Sequence, residues 1–182
     1  MIGCFLIRKK IDKSLLKGII VETEAYSQEE EACHGHKRKT PSNETLFGEP
    51  GRFYIYKSYG IHHCLNVVTD KANFASGVLI RSVFISNKNE REAAGPGLVT
   101  KAFEIDNKLN FLKIVDNNFL WIKKGYLNVE KKDLIQTTRV GITKAKNINW
   151  RWYLKSSRSI SKREKGDRTP NLKFSNNNLS KI

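Results

Sequence analysis

The alternation of apolar and polar residues along this chain is typical of β-strands rather than of long amphipathic helices. Residues 18–26 start with a glycine and are rich in β-branched residues, which predicts a strand. Similar runs predict further strands at residues 52–59, 64–69, 77–85, 119–123 and 138–142. The short apolar run at residues 4–8 fits either a strand or the end of a helix, and a helix is predicted at residues 98–103, after a Gly-Pro-Gly turn. The pattern therefore indicates an antiparallel or mixed sheet with few helices.

The length of 182 residues suits one domain and is too short for two. Apolar residues make up 39% of the chain, which is enough for a core that needs neither disulfides nor metals. No run approaches the roughly 20 apolar residues of a membrane-spanning helix, so we expect no membrane-spanning segment. The three cysteines are odd in number and widely spaced, which is typical of reduced thiols in a cytoplasmic protein.

The net charge of the chain indicates the kind of partner that it binds. It carries 33 basic and 18 acidic residues, a net charge of +15, which points to a polyanionic partner such as DNA, RNA or an anionic membrane surface. Residues 1–155 are predicted to form the folded domain. From residue 156 to residue 182 the sequence is basic and rich in Ser and Asn, which predicts a disordered tail. This tail fits either a solubilising extension or an arm that follows phosphates.

Two carboxylates, Glu22 and Glu24, project from one face of the strand predicted at residues 18–26, about 7 Å apart. In one interpretation the strand lies at an edge of the sheet and both carboxylates are solvated. In the other, a carboxylate is held in a cleft, where it can activate a water molecule. The acidic run at residues 29–31 is expected to be a solvated loop or the first turn of a helix.

All four histidines lie within a short part of the chain, at His34, His36, His62 and His63. Their spacing is not that of structural zinc sites, and adjacent residues of a strand point to opposite faces. We therefore predict no metal site, with a zinc-dependent nucleic-acid hydrolase as the weaker alternative. Tyrosines crowd the end of the strand predicted at residues 52–59, where they fit either core packing or stacking on nucleobases.

Taken in order, several motifs resemble those of the alkyladenine (3-methyladenine) DNA glycosylases, over roughly residues 2–160. The most specific are Val-Glu-Thr-Glu-Ala-Tyr at residues 21–26 and Tyr-Ile-Tyr-Lys-Ser-Tyr-Gly at residues 54–60. Further matches lie at residues 31–34, 39–41, 50–51, 64–67, 78–81, 95–102, 138–142 and 150–153.

The resemblance implies a single α+β domain with a curved, mainly antiparallel sheet and surrounding helices. It implies a monomeric enzyme without metal or organic cofactor, whose partner is double-stranded DNA that contains damaged purines. Such an enzyme flips an alkylated or deaminated purine out of the duplex and hydrolyses the N-glycosidic bond, and no lyase activity is expected.

The resemblance also implies a role for seven residues. Glu24 activates the water molecule and Arg81 lies beside it. Tyr26, His34 and Tyr56 form the walls of the base pocket, Asn66 lies at its floor, and Tyr59 enters the base stack as a wedge. These residue types suit the chemistry, because electron-rich tyrosine faces attract a positively charged alkylpurine.

Four features depart from the family pattern, of which the first is that the spacing from Tyr26 to His34 is one residue short. The chain begins where the first core strand is expected, which implies a shortened N-terminus. The connection between residues 83 and 95 is short, and the basic tail has no counterpart. None of these features touches the seven predicted site residues. The alternative hypothesis is a lesion-binding DNA protein whose catalysis has decayed.

Overall fold

The strands of this protein form one antiparallel sheet, seen in a computed structural model that describes residues 1–115, 117–155 and 157–170. Within this part of the chain the strands are β1 (Phe5–Lys9), β2 (Leu15–Ser27), β3 (Phe53–Ser58), β4 (His62–Val68), β5 (Ser76–Phe84), β6 (Leu120–Lys123), β7 (Leu134–Thr137) and β8 (Arg151–Leu154). The helix α1 spans Pro96–Ala102, and 3₁₀ helices span Glu44–Phe47, Asn107–Leu109 and Lys131–Asp133. The curled sheet with few helices confirms the predicted single α+β domain.

Strand β2 runs through the interior of the sheet, whose main order is β3-β4-β5-β2-β1-β6. One side of β2 pairs with β5, and the other side pairs first with β1 and then with β8. The register against β5 shifts between Ile20 and Thr23, which marks a bulge. Because β2 has neighbours on both sides, Glu22 and Glu24 do not lie on a solvated edge strand, and that interpretation is wrong.

The apolar core packs against the sheet in three clusters. The largest lies beneath α1 and includes Phe53, Ile80, Val99 and Phe103, each of which is buried. Full burial of one such side chain is worth about 1.5–3 kcal/mol. Strands β2 and β5 approach so closely at Gly18 that a Cβ there would lie 2.5 Å from a methyl group of Val83. The core therefore fixes β2 and β5, the two strands that carry the charged groups described below.

The predicted elements agree with the structure where apolar alternation is strong. The strands predicted at residues 18–26, 52–59, 64–69, 77–85 and 119–123 are present with ends shifted by a few residues, and residues 4–8 belong to a strand rather than a helix. The strand predicted at residues 138–142 is wrong, because this segment is a loop that follows β7. Strands β7 and β8 were not predicted. Among the described residues, no helix is long and apolar enough to cross a bilayer.

The segment that follows β8 differs from the predicted disordered tail. Ser157, Ser159 and Ile160 are buried, and the hydroxyl of Tyr153 donates to Asp167 Oδ2 at 2.9 Å. The segment is held mainly by polar contacts to distant residues, which a local hydrophobic pattern cannot reveal. Residues 171–182 lie outside the described residues, so for them the tail stays a prediction.

Candidate active site

Two fully buried carboxylates lie side by side in the interior of the sheet. Glu22 and Glu24 of β2 are each 0% exposed, and Arg81 of β5 reaches both. Arg81 Nη1 donates to Glu24 Oε2 at 3.1 Å, and Arg81 Nε lies 3.4 Å from Glu22 Oε1. Buried charges are tolerated only when they are paired, and this arginine supplies the shared counter-charge.

Glu24 is held by groups that face a cavity. Its Oε1 accepts the backbone N–H of Val140 at 2.7 Å, and its Oε2 accepts the hydroxyl of Tyr26 at 2.8 Å. The carbonyl of Val140 accepts a hydrogen bond from Arg81 Nη1 at 3.2 Å. Val140 therefore contributes through its backbone alone. Sequence reasoning missed it, although it lies inside the motif at residues 138–142.

Apart from Arg81, the groups that hold Glu22 do not line the cavity. Its Oε1 accepts from Arg151 Nη1 at 3.0 Å and from the Ser161 hydroxyl at 2.8 Å. Its Oε2 accepts from the Ser82 hydroxyl at 2.6 Å and from the Ser161 backbone N–H at 2.7 Å. Each oxygen of the Glu22 carboxylate therefore accepts two hydrogen bonds from the protein. Glu22 ties the segment after β8 to the sheet, whereas Glu24 is the carboxylate next to the cavity.

The cavity beside Glu24 has a volume of about 550 Å³, within the range of small-molecule sites. Its lining includes six of the seven predicted site residues: Tyr26, His34, Tyr56, Tyr59, Asn66 and Arg81. The seventh, Glu24, lies directly behind Tyr26, Arg81 and Val140, all of which line the cavity. The structure therefore brings all seven residues together, while their individual roles stay predictions.

Part of the cavity wall is formed by uncharged aromatic rings. The rings of His34 and Tyr56 lie 4.8 Å apart between centroids, and Tyr54 stacks on Tyr56 at 5.3 Å. Burial lowers the pKa of His34 below its ordinary value, so the imidazole is neutral at pH 7. Burial also raises the pKa of Tyr26, Tyr54 and Tyr56, which keeps their hydroxyls protonated. Such a pocket suits a flat aromatic ligand.

Tyr59 stands at the tip of the hairpin between β3 and β4 and is 85% exposed. Its φ is 50° and that of Gly60 is 67°, with a hydrogen bond from the N–H of Ile61 to the carbonyl of Ser58. Two consecutive left-handed residues form the tight turn that suits the twist of a hairpin, yet a tyrosine is strained in this conformation. The core-packing interpretation holds for Tyr54, which is buried, and is wrong for Tyr59.

The histidines do not converge on one point. His34 contacts the hydroxyl of Tyr54, His36 Nδ1 hydrogen-bonds the carbonyl of Gln28 at 2.8 Å, and His62 lies at the rim of the cavity. In the described parts of the chain, no three or more His, Cys, Asp or Glu side chains form a group that could hold a metal ion.

The acidic run at residues 29–31 is only partly solvated. Glu30 is buried and forms two hydrogen bonds with Arg139, at 2.6 and 2.9 Å. The expectation of a solvated loop is therefore wrong for Glu30. Its partner lies 109 residues away along the chain, so local sequence carries no signal of the pair.

The fold, the partly aromatic cavity and the buried carboxylate together define a candidate enzyme site. The chain matches the family described as methylpurine-DNA glycosylase over residues 1–158, and it belongs to this family of DNA-repair glycosylases.

Several bacterial proteins are similar to this chain along most of their length. A protein of Synechococcus elongatus is 39% identical over 170 residues, which covers 91% of this chain and 84% of the relative. A protein of Carboxydothermus hydrogenoformans is 40% identical over 175 residues, covering 90% and 91%. One of Francisella tularensis is 33% identical over 176 residues, with the same two coverages. All three bear the name "Putative 3-methyladenine DNA glycosylase".

Proposed function

We propose that this protein excises alkylated or deaminated purines of the 3-methyladenine type from double-stranded DNA, using a water molecule activated by Glu24. The observation that carries the proposal is the position of Glu24, fully buried behind an aromatic cavity in a chain of this family. A protein with decayed catalysis is disfavoured, because the carboxylate, its arginine partner and the cavity are all intact.

The damaged base enters the cavity and contacts the rings of Tyr26, His34 and Tyr56, which line it. A purine alkylated at N3 or N7 carries a positive charge, which is attracted to the faces of neutral aromatic rings. Because His34 is neutral at pH 7, its ring adds no repulsive charge. The undamaged purine lacks this charge and gains less from the same rings.

Tyr59 occupies the space that the extruded base leaves in the duplex. Extrusion costs a few kcal/mol, and less at a damaged base pair. The exposed ring at the hairpin tip offsets part of this cost by stacking, which is worth roughly 1–3 kcal/mol per base. The turn at Tyr59 and Gly60 holds the ring away from the sheet, where it can reach the base stack.

Hydrolysis takes place next to Glu24. A water oxygen bonds to C1′ of the sugar, the electron pair of the N-glycosidic bond leaves with the base, and a water proton passes to the Glu24 carboxylate. The negative charge also stabilises the oxocarbenium-like transition state. Arg81 and the Val140 N–H fix the orientation of the carboxylate.

The enzyme is proposed to act as a monomer and to leave the DNA backbone intact. The buried group beside the cavity is a carboxylate, whereas the lysines that line the cavity, Lys57 and Lys144, are exposed. Lyase chemistry needs an amine that attacks C1′, and neither lysine occupies the position of Glu24.

The proposal is tested by incubating the protein with methylated DNA and with duplexes that contain one hypoxanthine or ethenoadenine. We expect release of free 3-methyladenine, and strand breaks only after alkali treatment converts the abasic sites. Glu24→Gln serves as the control. Binding of the damaged duplex without base release would favour the decayed lesion-binding protein. Loss of activity in a chelator would favour the zinc-dependent hydrolase.

A further inference from the structure

A buried arginine lies behind the wall of the cavity. The guanidinium carbon of Arg139 is 4.6 Å from the centroid of the Tyr26 ring. Tyr26 lines the cavity and Arg139 does not, so the guanidinium lies on the side of the ring that faces away from the cavity. Trp150 flanks the same guanidinium at 5.7 Å.

The charge of Arg139 is balanced by Glu30. Nη1 and Nη2 of Arg139 donate to the two oxygens of Glu30 at 2.6 and 2.9 Å, in the two-pronged geometry that arginine favours. Nη1 also donates to the carbonyl of Ala25 at 3.0 Å. The side chain of Arg139 is 0% exposed and that of Glu30 is 6% exposed. The pair is therefore rigid, shielded from solvent and close to neutral overall.

A cation on one side of an aromatic ring weakens the attraction of a second cation to the other side. The weakening has two sources: the first cation polarises the ring electrons toward itself, and the two positive charges repel each other across a medium of low dielectric constant. The carboxylate of Glu30 cancels most of this effect. Without Glu30, Arg139 would oppose the binding of a positively charged base on the cavity side of Tyr26.

We infer that the Glu30–Arg139 pair, acting through Tyr26, determines how strongly the cavity prefers positively charged alkylpurines over neutral damaged purines. This inference rests on the proposed glycosylase function. Glu30 and Arg139 are positioning residues, since neither lines the cavity nor touches the base. The neutral pair leaves the π face of Tyr26 available to the cationic base, and it holds the ring in place.

The test is the ratio of two single-turnover rates, for 3-methyladenine and for hypoxanthine in the same duplex context. Glu30→Gln leaves Arg139 uncompensated and is expected to lower this ratio about threefold to tenfold. The double variant Glu30→Gln/Arg139→Gln removes both charges and is expected to restore the ratio. Arg139→Gln alone is expected to give a ratio at or above that of the double variant.

A merely structural pair would behave differently. Its loss would slow both reactions alike, and the double variant would be no better than the single one; either result overturns the inference. If Glu30→Gln does not fold, a ratio in Arg139→Gln below that of the double variant also overturns it. Glu104→Gln removes the same charge from an exposed pair with Lys10 and should leave the ratio unchanged.

The proposed function and this inference fail in distinguishable ways. A wild-type protein that releases neither base contradicts the proposed function. A wild-type protein that releases both bases, with the same ratio in all variants, contradicts the inference alone.

Discussion

Glu22 and Glu24 leave one strand two residues apart, and the groups that hold them differ. Arg81 reaches both, but the remaining donors to Glu24 line the cavity, whereas those to Glu22 belong to the protein interior. Within one buried cluster, Glu24 is therefore expected to act in catalysis and Glu22 in stability. Each of these roles leads to a separate prediction.

Glu24→Gln should remove catalysis and preserve binding. The amide keeps the shape of the side chain but loses its charge and basicity, and loss of a general base typically lowers the rate by about 10²–10⁴-fold. Affinity for the damaged duplex should stay within a few fold, because Glu24 does not face the DNA backbone. The rates are measured in single turnover alongside equilibrium binding. Excision at the wild-type rate would show that another group activates the water.

Glu22→Gln should act mainly on stability. Removing one partner of a buried ion pair costs up to about 3–5 kcal/mol. Arg151 would keep only Glu164, whose side chain is 41% exposed, as its counter-charge. We expect a lower free energy of unfolding in urea, and a fall in activity that follows the folded fraction. If the variant unfolded like the wild type but lost excision, Glu22 rather than Glu24 would be the catalytic carboxylate.

Sequence could locate the cavity residues but not the groups that support them. Tyr26, His34 and Tyr56 lie in recognisable motifs, because their side chains themselves face the cavity. Val140 contributes a backbone N–H and carbonyl, which any residue type except proline could supply. In the sequence, Glu30 belongs to an acidic run that is expected to be solvated, whereas in the fold it pairs with Arg139.

Among the secondary-structure elements, the β3–β4 hairpin is important because it exposes the ring of Tyr59 at its tip. Tyr59→Ala should lower the fraction of extruded base by an amount that reflects stacking losses of roughly 1–3 kcal/mol. Fluorescence of a base analogue at the lesion reports this fraction. Tyr59→Phe keeps the ring and should resemble the wild type. A wild-type flipping equilibrium in Tyr59→Ala would show that the exposed ring does not stack in the duplex.

The segment after β8 should contribute to stability as well as to charge. A chain that ends after residue 156 loses buried Ile160 and both Ser161 contacts to Glu22, so it should unfold at lower urea concentration. A chain that ends after residue 170 keeps these contacts and serves as the control. Equal stability of the two truncated chains would contradict a structural role for residues 157–170.

Strand prediction succeeded where the apolar pattern was strong and failed where pairing came from distant contacts. Strand β8 has four residues, Arg-Trp-Tyr-Leu, whose buried arginine hides the apolar pattern. The local sequence therefore does not indicate that β8 pairs with β2 and β7. Residues 138–142 are apolar enough to suggest a strand, but they form the loop that reaches Glu24.

For the whole molecule, the net charge of +15 should govern the encounter with DNA. Each phosphate that the protein neutralises adds about 0.9 to the downward slope of log K against log salt. We expect a steep slope for undamaged and damaged duplexes alike. Because the aromatic rings expected to contact the base are uncharged, the difference between the two duplexes should depend little on salt. Binding to both duplexes is measured across a salt series. A flat slope would contradict the first statement, and a difference that changes with salt would contradict the second.

The groups around the two carboxylates come from widely separated parts of the chain. Arg81 and Val140 lie 57 and 116 residues beyond Glu24, and Ser161 lies 139 residues beyond Glu22. Contacts of such separation form only after long loops have closed. A nascent chain on the ribosome therefore exposes Glu24 long before its partners are synthesised. The groups around Glu24 can therefore assemble only in a chain synthesised at least as far as Val140, so the proposed base excision requires a nearly complete molecule.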